Sequence, residues 1–374
     1  MKLQIEKETL INSLDWSTKF LTSRPSIPIF AAIKLTANKE GFSTEITNLE
    51  VTSKTKELIP VENDGEVLVH AKFFTDIVRS MPAGKILIND NEKTGKLEVS
   101  SGKNKTNIPI YKSNEFPETE EAKNLIGSIN SRDFSNALVR VGIASAREDT
   151  TPILQTIKID LQKDKVILSA IDRYRIARKE IPWKSNKDID KSIIIKNKTL
   201  IELAKSIENS TTTDIYFDEE NSNIITFSTG SYNVTTQIVA GTFPPTEKLF
   251  EQKYNQTIYI NKSDINSALS RISIISNNTT SVTTIFNDKT ITLITDEINE
   301  YSAQEVVDCS YSGEEIKIKF NIQFLKEGIA QISENYICFD FEETTKPIRL
   351  TGADKPEEES KDNYKYIIVP IKIG

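Results

Sequence analysis

The stretch DKVILSAIDRYRIAR, residues 164–178, decides the fold, because related versions of it occur at three places in the chain. Its counterparts are GFSTEITNLEVTSK at 41–54 and DKTITLITDEINEYS at 288–302. Each alternates apolar and polar residues, as a half-buried strand does, and then reaches a polar residue where the chain turns. Those residues are Asn48, Asp172 and Asp296, each 124 positions from the next. Helix-period segments recur around them. ETLINSL, RDFSNAL and SDINSAL open one set, and Phe74, Leu200 and Phe324 mark a second, spaced 126 and 124 apart. From Leu10 to Asn48 and from Phe134 to Asp172 the interval is 38, whereas Ile265 to Asp296 is 31, so the third copy has a shorter loop. A unit of this size is a domain, not a solenoid repeat. The pattern predicts an α+β protein of three similar domains, 1–121, 122–252 and 253–374.

Six helices are expected, at 7–21, 71–81, 131–146, 197–208, 262–275 and 321–333. The clearest strand stretches are 49–61, 156–171, 223–239 and 315–320, with turns at 38–41, 162–164 and 287–288. Composition removes many functions. Of 374 residues one is His, which excludes a His-rich metal centre. Cys309 and Cys338 form no CxxC and no disulfide framework, which fits a reducing compartment. None of the 13 Gly falls in a GxxxxGK[ST] or GxGxxG loop. The N-terminal MKLQIEKETL is charged where a signal peptide is apolar, and no apolar run nears the roughly 20 residues that span a bilayer. The expectation is a soluble cytoplasmic protein without metal, cofactor or membrane partner. His70 reads as a surface or capping residue, the cysteines as buried thiols, and Glu357-Glu358-Glu359 as part of a solvated loop.

Further motifs carry a resemblance. SRPSIPIF (23–30), VHAKFFTDIVRSMP (69–82), AIDRYRIA (170–177), GTFPPTEKLF (241–250) and the terminal IIVPIKIG stand in one order. In that order and with three repeats, the chain resembles the bacterial DNA polymerase III beta subunits, the sliding clamps, over its whole length. The resemblance implies the DNA-clamp fold and no catalysis. Two copies form a head-to-tail ring, with antiparallel sheets outside and two helices per domain lining a hole for double-stranded DNA. It further implies clients that bind by short peptide motifs: the DNA polymerase III catalytic subunit, the clamp loader, repair polymerases, ligase and mismatch-repair proteins.

Carried over motif by motif, the peptide groove comprises Leu154, Ile171, Arg173, Tyr174, Arg175, Ile176, Pro244, Leu249, Pro347, Ile367, Ile368, Val369, Pro370, Ile371 and Lys372, with Arg175 and Lys372 placed to hold peptide carbonyls or a carboxylate. DNA-facing cations would be Arg24, Lys72, Arg79, Arg132, Arg140, Arg147, Lys198, Lys205 and Arg271. The subunit junction would join Lys103, Lys105 and Thr106 to Ile274, Ile275, Glu297 and Glu300 of a second copy. The charge fits weakly: the chain carries -7 overall, with +2 on the six helices counted together with the flanking Glu6, Arg147 and Glu334, and -9 elsewhere. Several positions depart from the family pattern. Ile171 stands where many members have Thr, Arg173-Tyr174 where others have Gly or Ser followed by His, Ile371 where Met is common, and Thr106 where an aromatic is frequent. Three rival readings are a paralogous clamp with altered partner or inhibitor binding, a carboxylate-dependent enzyme on a β-rich fold, and a β-rich interaction protein that forms no ring.

Overall fold

The computed structural model describes every residue except 23, 24, 26, 92, 93, 112–114, 149, 221, 222, 276–280, 296–301, 359, 373 and 374. Its helices are α1 (Lys7–Thr18), α2 (Ala71–Ser80), α3 (Ser131–Gly142), α4 (Asn197–Ile207), α5 (Glu247–Glu251), α6 (Lys262–Ile275) and α7 (Ile322–Ala330). All six expected helices are present. The five-residue α5 is an addition, too short to leave a helical period in sequence.

Several helices start where a strand runs into a capping side chain. His70 Nδ1 accepts from Phe73 N at 3.5 Å, Asn130 Oδ1 from Asp133 N at 3.0 Å, and Asn321 Oδ1 from Phe324 N at 3.0 Å. Each satisfies a first-turn donor that the helix leaves unpaired. Buried positions then follow helical spacing, as with Ala71, Phe74, Thr75 and Val78 of α2 or Ile322, Leu325, Gly328 and Ile329 of α7. Each large side chain so buried contributes about 1.5–3 kcal/mol.

The chain forms two compact units: Met1–Ser135 with Trp183–Ile189 and Thr199–Val239, and Asn136–Pro182 with Asp190–Lys198 and Ala240–Gly374. These limits cut through the middle repeat because the sheets join repeats edge to edge. In the first unit a nine-stranded antiparallel sheet runs Lys184–Ser185, Leu125–Asn130, Thr212–Tyr216, Ile224–Ser228, Tyr232–Gln237, Val51–Glu57, Gly41–Thr47, Ala32–Asn38, Gly65–His70. Its seam pairs Tyr232 with Thr55 and Thr236 with Val51. In the second unit the eight-stranded sheet runs Lys191–Lys196, Thr156–Leu161, Lys165–Ile171, Arg175–Pro182, Tyr364–Ile368, Ile348–Ala353, Tyr336–Phe341, Gln256–Asn261. Its seam pairs Arg175 with Ile368 and Lys179 with Tyr364. The same junction therefore occurs twice, as a repeat should give.

Each unit holds one further sheet. The first has Val61–Asn63, Lys2–Glu6, Lys85–Asn91, Lys96–Ser101 and Asn104–Pro109 in that order; the second has Gln304–Asp308, Thr290–Thr295, Ser281–Asn287 and Ile316–Asn321. Among the described residues, Asn104–Pro109 and Gln304–Asp308 each pair with a strand on one side only. No helix among them is long and apolar enough to cross a membrane.

Candidate functional site

The recurring polar residue makes the turn on which the site is built. Asp172 Oδ1 accepts from Tyr174 N at 2.8 Å and from Arg175 N at 2.9 Å. Asn48 makes the same turn, accepting from Glu50 N at 3.0 Å and Val51 N at 2.8 Å. Asp296 lies outside the described residues. The turn exposes Arg173 and Tyr174 and sends Arg175 inward.

Only 3% of the Arg175 side chain is exposed. Its Nε meets Asp172 Oδ2 at 2.9 Å, a terminal nitrogen pairs with Glu327 of α7, and the guanidinium lies 4.1 Å over the Phe324 ring. Burial alone would lower the Arg175 pKa. The neighbouring Tyr366, Glu327 and Asp172 outweigh it and hold the group above its ordinary value. Glu327 also accepts from Arg147 at 2.9 Å and Gln323 at 2.8 Å. Tyr174 stacks on Phe324, ring centres 6.1 Å apart. Together these groups and Ala146–Glu148 line a cavity of about 490 Å³.

The C-terminal segment closes one side. Ile367 and Ile368 are buried in the seam, after which Val369 N donates to Tyr174 O at 2.8 Å and Ile371 N to Lys319 O at 2.7 Å. Ile176, Ile367 and Phe250 form an apolar cluster, with the half-buried Ile171 and Leu249 packed against it. The short α5 supplies both Leu249 and Phe250. Leu154, Pro244, Pro347 and Pro370 are half-buried, while Val369, Ile371 and Lys372 are exposed.

The structure thus brings Arg173, Tyr174 and Arg175 to one cavity and Ile171, Ile176, Leu249 and Ile367 to one apolar cluster. It departs from expectation at Arg175. That guanidinium, expected to hold a peptide carbonyl or carboxylate, is already engaged by two carboxylates and a ring, so it shapes the cavity wall. Phe250, Phe324 and Glu327 were missed. Phe250 ended the quoted GTFPPTEKLF and Phe324 marked the 124-residue offset, but an apolar helix residue looks like core until its neighbours are known.

The expected DNA-facing cations fall into three groups. Lys72, Arg132 and Lys198 are exposed on α2, α3 and α4. Arg79, Arg147, Lys205 and Arg271 are exposed but paired with Asp15, Glu327, Glu202 and Glu305. Arg140 differs from expectation. It is mostly buried, with its guanidinium 4.4 Å over the Tyr364 ring and 2.5 Å from Asp362, so its charge serves the fold. Burial lowers its pKa, with Tyr364 and Glu334 acting the other way. Arg24 lies outside the described residues, as do Glu297 and Glu300 of the expected junction. Lys103 and Lys105 are exposed and Thr106 is half-buried, whereas Ile274 is exposed and Ile275 half-buried.

Family models match in chain order. The DNA polymerase III beta subunit N-terminal domain matches residues 1–120, its central domain 128–245 and its C-terminal domain 247–372. The beta sliding clamp of Streptomyces coelicolor is 27% identical over 377 residues, with all of each chain covered. The beta sliding clamp homolog GriR of Streptomyces muensis is 26% identical over 373 residues, covering all of this chain and 99% of the relative. Among solved structures, the DNA polymerase III subunit beta from Pseudomonas aeruginosa and the DNA polymerase sliding clamp from Bacillus subtilis each superimpose with a TM-score of 0.91. Each is 21% identical, with both chains fully covered.

Proposed function

The chain belongs to the DNA polymerase III beta subunit family and is a DNA sliding clamp, not an enzyme, and from that premise we propose how its residues divide the work. The observation that carries the proposal is the succession of three family domains along the whole chain. Two copies close head to tail into a ring, in the cytoplasm, where DNA is replicated. The one-sided edges Asn104–Pro109 and Gln304–Asp308 support this, because each carries a row of hydrogen-bonding groups that a second copy can pair.

Duplex DNA passes through the ring. A closed ring keeps its DNA topologically, so contacts to phosphate are free to be weak and sequence-blind, and sliding follows. Lys72, Arg132 and Lys198 supply such contacts. Arg79, Arg147 and Lys205, each itself exposed, exchange a carboxylate for a phosphate at small cost, since pairs open to solvent contribute about 0–1 kcal/mol.

The cluster of Ile171, Ile176, Leu249, Phe250 and Ile367 forms the apolar floor for a client peptide, and the Tyr174–Phe324 cavity forms its polar approach. The polymerase catalytic subunit, the clamp loader, repair polymerases, ligase and mismatch-repair proteins are the clients of this groove. Pro370 to Lys372 flank it.

The ring is tested by loading the protein with a clamp loader and ATP on circular and on linearised DNA. Long retention on the circle and rapid loss from the linear form is expected. Equal, rapid loss from both refutes the proposal.

A further inference from the structure

Arg271 was expected to face DNA, but its geometry directs it elsewhere. Its Nε donates to Glu305 Oε1 at 2.8 Å and its terminal nitrogen to Glu305 Oε2 at 2.6 Å, a two-toothed grip on one carboxylate. Glu305 belongs to Gln304–Asp308, the strand paired on one side only. Side chains alternate along a strand, so Glu305 shares the face of the buried Val307, the face covered by α6. Val306, on the other face, is 56% exposed, and Ile274, one helical turn after Arg271, is 71% exposed. A free strand edge thus lies between two uncovered apolar residues and is held from behind by one arginine.

We propose that Arg271 is a positioning residue of the subunit junction, which holds the free edge of Gln304–Asp308 in register for a second copy of this chain. This rests on the ring reading. The occupant follows from charge and hydrogen bonding. The other one-sided strand, Asn104–Pro109, follows the exposed Lys103 and carries Lys105, paired to Glu98 of its own chain, whereas Gln304–Asp308 carries the exposed Asp308 beside the Arg271-bound Glu305. A lone strand edge loses conformational freedom when it pairs. Arg271 removes part of that cost before the second copy arrives, as preorganisation does at other interfaces.

The test measures dimer dissociation by sedimentation equilibrium for the full-length chain and for Arg271→Lys, Arg271→Ala, Glu305→Gln and the double variant Arg271→Ala with Glu305→Gln. Lysine keeps the charge for phosphate but lacks the fork. A closed ring contains two junctions, so a weakening of about threefold at each becomes about tenfold in the dissociation constant. All four variants are expected to show this shift, the double variant no more than the single ones, with the monomer's thermal midpoint unchanged. Wild-type dimerisation of Arg271→Lys, or of Glu305→Gln, overturns the proposal. So does a smaller salt dependence of DNA retention in Arg271→Ala that Arg271→Lys restores, because that is the mark of a phosphate contact. A wild-type chain that stays monomeric at every concentration instead overturns the ring reading itself.

Discussion

Replacing Glu327 by Ala tests the wall of the Tyr174–Phe324 cavity. The change leaves Arg175, 3% exposed, with one carboxylate in place of two. Removing one partner of a buried ion pair costs about 3–5 kcal/mol. Arg175 keeps Asp172 at 2.9 Å and the Phe324 ring at 4.1 Å, which places the cost nearer to 2–3 kcal/mol. At about 2–4 °C per kcal/mol for a folded unit of this size, calorimetry is expected to show a midpoint lower by roughly 5–10 °C. Arg147→Ala is the control. It touches the same carboxylate but is 82% exposed, and its cost should stay within about 0.5 kcal/mol.

Acid supplies a second dimension. Burial raises the Glu327 pKa, but hydrogen bonds from Arg175 and Gln323 and the charges of Arg175 and Arg147 outweigh it and leave the group below its ordinary value. A carboxyl depressed in the folded state stabilises above its unfolded value, about 4.3, and loses that contribution as the pH falls through the folded value. The gap between wild type and Glu327→Ala should therefore be equal at neutral pH and in weak acid, and should narrow below about pH 4. A gap no larger than that of Arg147→Ala, or one that persists undiminished in strong acid, refutes the assignment of Glu327 as the partner of a buried charge.

Deleting residues 369–374 removes the segment hydrogen-bonded to Tyr174 and Lys319; titration with a clamp-motif peptide should show no binding while sedimentation still reports a dimer. Leu249→Ala trims a half-buried residue of the apolar cluster, so peptide affinity should fall about tenfold with little change in melting temperature, whereas Phe250→Ala should cost about 3–5 kcal/mol of stability as well. Gly328→Ala drives a methyl group into the Tyr366 ring and should destabilise the fold by about 1–3 kcal/mol in denaturant titration. Burial pushes the Cys338 thiol up to about 12, so a thiol reagent at pH 8 should label it only after denaturant is added.

The three-fold repeat and six helices were legible because the amphipathic periods at 71–81 or 321–333 record a buried stripe, and a stripe is a local property. The role of Asp172 was half legible. Its recurrence at Asn48 marked a turn, but only the hydrogen bonds to Tyr174 and Arg175 show what the turn builds. Arg140 and Arg271 were assigned by helix membership, and both proved to be set by residues far away in sequence, Asp362 and Glu305. Charge on a helix is visible in sequence. The carboxylate that occupies it is not, because pairing depends on which strand the fold lays alongside. The same holds for α5, whose five residues are too few for a period and whose place is fixed by Leu249 and Phe250 against the strand of Ile367.

The sheet seams make the repeat a poor unit of assembly. A fragment that ended with the first repeat would strip Val51–Glu57 of Tyr232–Gln237 and leave a long central strand open to solvent. An exposed edge of that kind invites pairing with any neighbouring chain. Nascent chains meet this hazard too, because Val51–Glu57 waits for a partner, Tyr232–Gln237, that begins 175 positions after Glu57. Late closure of distant strands is slow. The strand order thus leaves no single cut, between repeats or within the middle one, that keeps both compact units whole, because each is built from separated stretches of chain.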